Sequence, residues 1–201
     1  MSSPGKLFVF SAPSGTGKST VIRALRQGVP GLCYSVSHTS RPPRKGEREG
    51  VDYHFVARSR FLEMIEAGDF VEWARVYDDY YGTSFAGLEA LTASGLDVVL
   101  DLDPKGAKNL KHYDPTCVLI FLLPPSLETL ETRLRGRATD GPRSVEKRLA
   151  QARDEISQCR YYDYVIVNDD LDRAVDEARA VIISDRCRVE RRETALLRLL
   201  G

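Results

Sequence analysis

Short apolar runs alternate with amphipathic stretches along nearly the whole chain. Unbroken apolar runs predict buried strands over residues 7–10, 98–100 and 118–123, and a further strand over residues 164–167. Apolar residues at helical spacing predict helices over about residues 17–27, 61–65, 85–91, 127–134, 145–156 and 171–184. Strands that alternate with helices are typical of an α/β fold, so we expect a parallel sheet with helices on both of its faces.

The end of the chain differs from the rest in composition. Residues 186–201 are rich in Arg and finish with Leu-Leu-Arg-Leu-Leu-Gly. This pattern predicts an amphipathic, partly frayed terminal helix, which either packs on the domain or pairs with another subunit in a homo-oligomer. Because the chain shows no internal repeat, low-complexity tract or linker, we expect one domain over residues 1–201 with a C-terminal extension at 186–201.

The charges of the chain balance. It has 29 Lys and Arg residues against 29 Asp and Glu residues, so its formal net charge is zero with His neutral. A protein that binds nucleic acid polymers usually carries a basic excess or a basic stripe. The balance argues against such a partner, and any phosphate binding must therefore be local.

Neither a membrane span nor a secretion signal is indicated. The longest uninterrupted apolar run is residues 117–123, whereas a helix that crosses a bilayer needs about 20 apolar residues. The run at residues 7–10 is too short for a signal peptide. We therefore expect a cytoplasmic protein, and its four widely spaced Cys, which form no CxxC pair, fit reduced thiols.

Residues 12–19 follow a predicted strand and open a predicted helix. They match the Walker A pattern GxxxxGK[ST], except that Ala12 replaces the first Gly. In such a loop main-chain N–H groups face nucleotide phosphates, Lys18 adds a positive charge and the Ser19 hydroxyl ligates Mg²⁺. The loop predicts binding of a nucleoside triphosphate with Mg²⁺. Its candidate residues are Ala12, Pro13, Ser14, Gly15, Thr16, Gly17, Lys18, Ser19 and Thr20.

Two arginines stand in the segment that follows. Arg41 and Arg44 flank Pro42 and Pro43, and this stiff pair lets two guanidinium groups face one phosphate monoester. Taken alone, the segment is equally compatible with a solvated loop. The phosphate loop does not name the reaction either, because ATPases, GTPases and small-molecule kinases share it.

Taken together, these segments resemble the guanylate kinase family over about residues 5–185. The resemblance implies a P-loop nucleoside monophosphate kinase with a parallel-sheet core (5–34 and 98–185), a GMP-binding region (35–97) and a mobile lid (about 136–144). It also implies Mg²⁺-dependent transfer of the ATP γ-phosphoryl group to GMP or dGMP, in purine metabolism and GMP recycling. Besides the phosphate loop, the matching motifs are SVSHTSRPPRKGEREGVDYHF (35–55), FVEW (70–73), YGT (81–83), LDLD (100–103), FLLPPS (121–126), RLRGR (133–137) and VNDD (167–170).

The resemblance implies roles for single residues as well. The GMP phosphate would be held by Arg41, Arg44, Tyr53 and Tyr81. The guanine would be read by Ser37, Glu72, Thr83 and Asp103. The cations that act on the reacting phosphates would be Lys18, Arg41, Arg133, Arg137 and Arg148. Position along the chain suggests two further roles. Asp101 stands at the C-terminal end of its predicted strand, where a Walker B carboxylate would hold Mg²⁺ through a water molecule, and Asn168 follows the last predicted strand, where it would border the adenine of ATP.

The chemistry of guanine agrees with one of these assignments. Its N1–H and N2–H₂ groups are neighbouring donors, and the Glu72 carboxylate can accept from both, whereas adenine presents a bare acceptor at N1. AMP would leave the carboxylate unpaired and should be a poor acceptor.

Simpler interpretations of four residues stay open at this point. Asp101 is also compatible with a strand-end carboxylate that caps the next helix, and Glu72 with an exposed charge beside a buried Trp73. Tyr53 and Tyr81 are equally compatible with aromatic residues of the core.

Three positions depart from the family pattern: Asp78-Asp79 before the Tyr-Tyr-Gly segment, Pro104-Lys105 after the acidic pair, and Ala12. The first two lie near the predicted acceptor site, so they put acceptor affinity or specificity in question.

Two other functions compete with a guanylate kinase. One is a kinase of the same fold that acts on a ribosyl bisphosphate, and Glu72 with Asp103 argues against it, because a sugar phosphate offers them no guanine. The other is a catalytically silent interaction module of the same family. The intact Gly15, Lys18 and Ser19 argue against that module, since a scaffold does not need them.

Overall fold

The computed structural model describes residues 4–76, 78–136 and 142–200. The strands in these ranges are β1 (Leu7–Ser11), β2 (Leu32–Tyr34), β3 (His38–Thr39), β4 (His54–Phe55), β5 (Phe70–Val76), β6 (Asp79–Ser84), β7 (Asp97–Asp101), β8 (Val118–Leu123) and β9 (Tyr164–Val167). The α-helices are α1 (Lys18–Gly28), α2 (Arg58–Ala67), α3 (Phe85–Ala93), α4 (Pro104–Tyr113), α5 (Leu127–Arg135), α6 (Pro142–Ser157), α7 (Leu171–Arg186) and α8 (Val189–Leu200). Strands β8 and β9 have the predicted bounds, and α1 is displaced from its predicted position by one residue.

Five strands form one parallel sheet in the order β2-β7-β1-β8-β9, which confirms the predicted parallel core. β1 lies in the middle, where Phe10 is paired with Asp101 of β7 and Ser11 with Phe121 of β8. In open sheets of this kind, ligands bind beyond the carboxyl ends of the strands, where the strand order reverses. Residues 12–17, which follow β1 directly, occupy this position.

Helices cover β1 on both faces. Phe8 and Phe10 belong to a core cluster shared with α1 and α7, whereas Leu7 and Val9 belong to one shared with α3 and α4. All four side chains are at most 5% exposed. The strand is apolar at consecutive positions because a sheet that is covered on both sides has no solvent face.

A second, smaller sheet follows β2 in the chain. Its strands have the order β4-β3-β6-β5, and Phe61 and Met64 of α2 pack with Phe70 of β5 beneath it. The pairs β3–β6 and β5–β6 are antiparallel, whereas β3–β4 is parallel. All four strands fall within residues 35–97, and the assignment of that region to GMP stays a prediction.

The structure describes the predicted terminal helix but only part of the predicted lid. Residues 137–141 of the lid, Arg137 among them, lie outside the described residues. Residues 189–200 form α8, which confirms a terminal helix, and its Leu199 and Leu200 are each 84% exposed. Pairing with another subunit stays a prediction. No described helix is long and apolar enough to cross a membrane.

One buried carboxylate joins the ends of the chain to the core sheet. Asp97, the first residue of β7, is 2% exposed. Its Oδ1 accepts from the Lys6 main-chain N–H at 2.8 Å and from Arg191 Nη2 of α8 at 2.6 Å. Its Oδ2 accepts from Arg186 Nε of α7 at 2.7 Å. Asp97 therefore anchors α7 and α8 to the amino-terminal end of β7, which is the end of the sheet opposite the phosphate loop.

We expect Asp97→Ala to lower the free energy of unfolding by about 3 kcal/mol, because it removes the buried carboxylate that accepts from the half-buried Arg186 and Arg191 and from the Lys6 N–H. Urea denaturation followed by circular dichroism measures this change. The matched control is Asp176→Ala, which removes an exposed pair with Arg179 and should cost less than about 1 kcal/mol. Equal effects of the two substitutions would contradict the anchoring role of Asp97.

Candidate active site

The loop between β1 and α1 turns at two glycines. Gly15 has a φ of +93° and Gly17 a φ of +100°, values that residues with a side chain rarely adopt. Between them Thr16 is fully buried, and its N–H donates to the Pro13 carbonyl at 3.1 Å. Ala12, which replaces the first Gly of the pattern, packs against the core cluster of α1 and α7. The backbone therefore requires both glycines and accommodates Ala12.

Helix α1 begins without a side-chain cap. Its N-cap residue is Gly17, so no N-cap side chain accepts from the N–H groups of Lys18 and Ser19, which lie at the positive end of the helix dipole. They border a cavity of about 340 Å³. Its lining residues are Ala12, Pro13, Ser14, Gly15, Gly17, Lys18, Ser19, Asp101 and Glu155. Main-chain donors, an ammonium group and a hydroxyl group in one cavity suit a polyphosphate.

Lys18 forms an ion pair with Asp101 across this cavity. The pairing of β1 with β7 explains the contact, because it places Asp101 beside the last residues of β1. The alternative that Asp101 caps the next helix is wrong. Asp103 caps α4 instead, and its Oδ1 accepts from the Gly106 N–H at 2.7 Å.

Few protein groups in the cavity suit a divalent cation. Among the residues that the structure describes, no cluster of three or more His, Cys, Asp or Glu could hold a metal ion. The side-chain oxygen donors that line the cavity are the hydroxyls of Ser14 and Ser19 and the carboxylates of Asp101 and Glu155. Such a small set fits an ion that takes most of its ligands from phosphate and water, as Mg²⁺ does.

Glu155 is a carboxylate of this cavity that the sequence did not single out. It lies on α6, where Gln151 Nε2 donates to its Oε1 at 2.9 Å. Burial raises the pKa of Glu155, and the charge of Lys18 opposes that shift. The local sequence gives no signal for it, because α6 carries other carboxylates at Glu146 and Asp154 that are exposed. Only the fold brings Glu155 to the loop.

Two side chains from distant parts of the chain meet at one carbonyl of the loop. The Thr16 carbonyl accepts from Asn168 Nδ2 at 2.6 Å and from Arg133 Nη1 at 3.2 Å. Asn168 follows β9 and is buried, and Arg133 lies on α5. Arg148 is half-buried on α6. Of the three predicted lid arginines, the structure places Arg133 at the loop, and Arg137 lies outside the described residues.

Glu47 holds both arginines of the segment between β3 and β4. Arg41 Nη2 donates to Glu47 Oε1 at 2.8 Å, and the Arg44 main-chain N–H donates to Oε2 at 2.6 Å. The Arg41 guanidinium lowers the pKa of Glu47. The Arg44 residue is exposed. Glu47 thus holds the Arg41 guanidinium and the main chain of Arg44. Its one signal in the sequence was its position in a turn, three residues after Arg44.

The predicted phosphate-site tyrosines lie together beside Arg41. The rings of Tyr53 and Tyr81 meet edge to face with centroids 5.8 Å apart, and the Arg41 guanidinium lies 5.6 Å from the centroid of the Tyr53 ring. Both tyrosines are half-buried, so neither is a fully buried core residue. The structure therefore gathers Arg41, Tyr53 and Tyr81 into one cluster.

Glu72 and Thr83 face each other across β5 and β6. Thr83 Oγ1 donates to Glu72 Oε1 at 2.9 Å, and Thr83 is buried. Trp73 is 48% exposed whereas Glu72 is half-buried, so the alternative of an exposed Glu72 beside a buried Trp73 is wrong. Asp103 lies nearby, because the α4 turn that it caps brings Gly106 close to the Cβ of Glu72.

Burial raises the pKa of Glu72, and the charges of Asp103 and Asp101 act in the same direction, while the Thr83 hydrogen bond opposes them. Glu72, Thr83 and Asp103, three of the four residues predicted to read guanine, thus lie close together where β5 and β6 meet the start of α4. The fourth, Ser37, is half-buried just before β3, and its carbonyl accepts from the His54 N–H at 2.9 Å.

The departures from the family pattern have local explanations in part. Asp78 lies at the turn between β5 and β6, where its carbonyl accepts from Arg58 Nη1 at 3.3 Å. Asp79 Oδ1 accepts from Ser40 Oγ at 3.5 Å. Lys105 is exposed on α4. Asp78 and Asp79 therefore join the smaller sheet to α2 and β3 rather than pointing to a different chemistry.

Comparisons with known proteins agree on one family. A family model described as guanylate kinase matches residues 4–185. The chain is 46% identical over 196 residues to a guanylate kinase of Symbiobacterium thermophilum, covering 98% of this chain and 93% of that protein. It is 49% identical over 187 residues to a guanylate kinase of Syntrophotalea carbinolica, covering 93% and 89%. A crystal structure of guanylate kinase from Anaplasma phagocytophilum matches with a TM-score of 0.69 and 34% identity, covering 94% and 90%.

We expect Glu72→Gln to raise the stability of the ligand-free protein at pH 7 to 8. A folded-state pKa above the unfolded one means that ionised Glu72 destabilises the fold, and that this cost vanishes as the pH falls below the unfolded value near 4.5. The urea midpoint of the variant should therefore exceed that of the wild type at pH 8, and the two should converge toward pH 4.5. Glu63→Gln, at an exposed position of α2, is the control; a Glu72→Gln protein less stable than wild type at pH 8 would refute the expectation.

Proposed function

This chain belongs to the guanylate kinase family, and on that basis we propose that it transfers the γ-phosphoryl group of ATP to GMP, giving ADP and GDP. One observation carries the proposal. Glu72 packs against the first turn of α4, where a Cβ at Gly106 would lie 3.5 Å from the Cβ of Glu72, and α4 follows the strand that ends at Asp101, the partner of Lys18. A group that can read guanine within reach of a phosphate loop suits direct transfer between two nucleotides. dGMP, with the same base and phosphate, is the expected second acceptor.

In this proposal the loop between β1 and α1 binds ATP. The loop amides and the uncapped start of α1 supply donors to the β- and γ-phosphates, and Lys18 adds a mobile positive charge. The Asp101 carboxylate that pairs with Lys18 holds the ammonium group at the cavity until phosphates replace it. The residues assigned to ATP are Ala12, Pro13, Ser14, Gly15, Thr16, Gly17, Lys18, Ser19, Thr20 and Asn168.

Mg²⁺ is the proposed metal cofactor. The Ser19 hydroxyl would ligate it directly and Asp101 would hold one of its water molecules, which matches the small set of oxygen donors at the loop. When bound, the ion neutralises charge on the β- and γ-phosphates.

The acceptor site is proposed at the face of the smaller sheet. Arg41, Arg44, Tyr53 and Tyr81 are assigned to the GMP phosphate. Ser37, Glu72, Thr83 and Asp103 are assigned to the guanine. Thr83 Oγ1 donates to Glu72 Oε1, and because a carboxylate has about four lone-pair sites, acceptor positions remain for the N1–H and N2–H₂ donors of guanine.

The reaction needs no covalent intermediate on the protein. A phosphate oxygen of GMP attacks the γ-phosphorus, a new P–O bond forms, and the bond to the β-phosphate oxygen breaks to release ADP. Positioning and charge stabilisation supply the rate. The proposed cations are Lys18, Arg41, Arg133, Arg137 and Arg148. Closure of residues 136–144 over the core (5–34 and 98–185) and the acceptor region (35–97) would exclude water, and we place the reaction in the cytoplasm.

Turnover with different acceptors tests the proposal directly. Purified protein is incubated with ATP, Mg²⁺ and, in turn, GMP, AMP, CMP, UMP or a ribosyl bisphosphate, and ADP formation is followed in a coupled assay. GMP should be the preferred acceptor. Turnover with AMP or the sugar phosphate but not with GMP would overturn the assigned acceptor, and no turnover with any of them would favour a silent interaction module.

The role of Glu72 predicts a selective kinetic defect. Glu72→Gln should lower kcat/KM for GMP by about 5- to 150-fold, because an amide accepts from one guanine donor and opposes the other. The KM for ATP should change little, and Glu63→Gln should behave as wild type. Equal losses at both substrate sites would contradict the assignment of Glu72 to guanine.

A further inference from the structure

The carbonyl of Thr16 is left outside the hydrogen bonds of α1. The N–H groups of Thr20 and Val21 both donate to the Gly17 carbonyl, at 3.0 and 3.2 Å, so the first hydrogen bonds of the helix end on Gly17 and not on Thr16. Thr16 itself is fully buried. A buried carbonyl without a partner is costly, so this peptide group depends on donors from elsewhere in the fold.

Those donors are side chains from two other elements. Asn168 Nδ2 donates to the Thr16 carbonyl at 2.6 Å, and Arg133 Nη1 donates to it at 3.2 Å. Asn168 is 6% exposed, and its own N–H donates to the Leu123 carbonyl of β8 at 2.8 Å. The amide is therefore held by the core sheet, whereas Arg133 reaches the carbonyl with a long and half-buried side chain from α5.

The direction of this carbonyl decides the direction of a phosphate donor. The peptide group is planar and trans, so its C=O and N–H point in opposite directions. The Thr16 carbonyl faces Asn168, and the Gly17 N–H of the same peptide group therefore points away from Asn168. Gly17 lines the cavity assigned to the phosphates. A Cβ at Gly17 would lie 2.7 Å from Asn168 Nδ2. The side-chain amide of Asn168 therefore packs directly against the Thr16–Gly17 peptide group that it orients.

We propose that Asn168 is a positioning residue of the donor site, which keeps the Gly17 N–H directed at the phosphates of ATP through its hydrogen bond to the Thr16 carbonyl. Arg133 shares this carbonyl in the ligand-free protein, and Asn168 allows Arg133 to leave for the transferring phosphoryl group without loss of the loop conformation. The inference rests on the proposed function of the loop. It assigns Asn168 an action through Thr16 that differs from contact with the adenine.

Binding of ADP is the suitable readout, because ADP has no phosphoryl group to transfer and so separates loop geometry from catalysis by Arg133. Asn168→Ala should raise the Kd for Mg²⁺-ADP, measured by calorimetry, by about 10-fold. The Kd for GMP should stay within about 2-fold, since GMP does not use the loop. Arg133→Ala alone should weaken ADP binding less, and the double variant should lose more than the product of the two single effects, because the carbonyl then lacks both donors.

The conservative variant Asn168→Asp keeps the size of the side chain and makes the test independent of a folding defect. Its carboxylate cannot donate to a carbonyl, whereas its protonated form can. Because position 168 is buried, the pKa of the introduced carboxyl should be raised, and ADP affinity of Asn168→Asp relative to Asn168→Ala should rise as the pH is lowered from 8 to 5. Asn109→Asp, the same change at an exposed position of α4, is the control and should match wild type.

Two results would overturn the inference: ADP binding unaffected by Asn168→Ala, or ADP and GMP binding weakened equally. Failure of the proposed function has a different signature. A protein that binds ADP but phosphorylates no acceptor would refute the guanylate kinase activity while leaving the role of Asn168 intact.

Discussion

The orientation of the peptide groups between β1 and α1 is the constraint on which the rest of the site depends. Amides that face a polyphosphate leave their carbonyls facing the protein, and buried carbonyls need donors. The two glycines allow the turn, with φ values of +93° and +100°, but they do not fix its direction. The direction comes from Asn168 and Arg133, which the parallel sheet and α5 carry to the Thr16 carbonyl.

Charge is concentrated locally in a protein whose net charge is zero. The cleft holds the carboxyl groups of Glu72, Asp101, Asp103 and Glu155. Burial raises the pKa of Glu72 and of Glu155. Lys18 pairs with Asp101, and Arg41 pairs with Glu47, so cations needed for phosphate are held in place by acids in the ligand-free protein. Under the proposed function, we expect these cations to exchange their carboxylate partners for phosphates when nucleotides bind.

Much of this architecture could be predicted from the sequence. Unbroken apolar runs predicted the bounds of β8 and β9. The pattern of β8 is that of a strand covered on both faces, whereas β9 lies at the edge of the sheet and Ile166 is its one buried residue. The phosphate loop was evident because its chemistry is carried by consecutive residues. Glu72 was predicted through the family resemblance, and its contact with Thr83 follows from the pairing of β5 with β6.

Contacts between distant segments could not be predicted in the same way. Asn168 and Thr16 are 152 positions apart, and the sequence near either residue does not predict their hydrogen bond. Glu155 is one of several acids on α6, and only the packing of that helix brings it to the loop. Glu47 stands in a segment rich in charge, where sequence alone does not say which acid pairs with which arginine.

A crystal structure of the protein with GMP and a non-hydrolysable ATP analogue would show both phosphate sites together. We expect the terminal phosphates of the analogue to bind the main-chain amides of residues 14–19 and Lys18, and the GMP phosphate to bind Arg41 and Arg44, in line with them. A GMP phosphate bound away from both arginines, or a guanine that leaves Glu72 in solvent, would contradict this expectation.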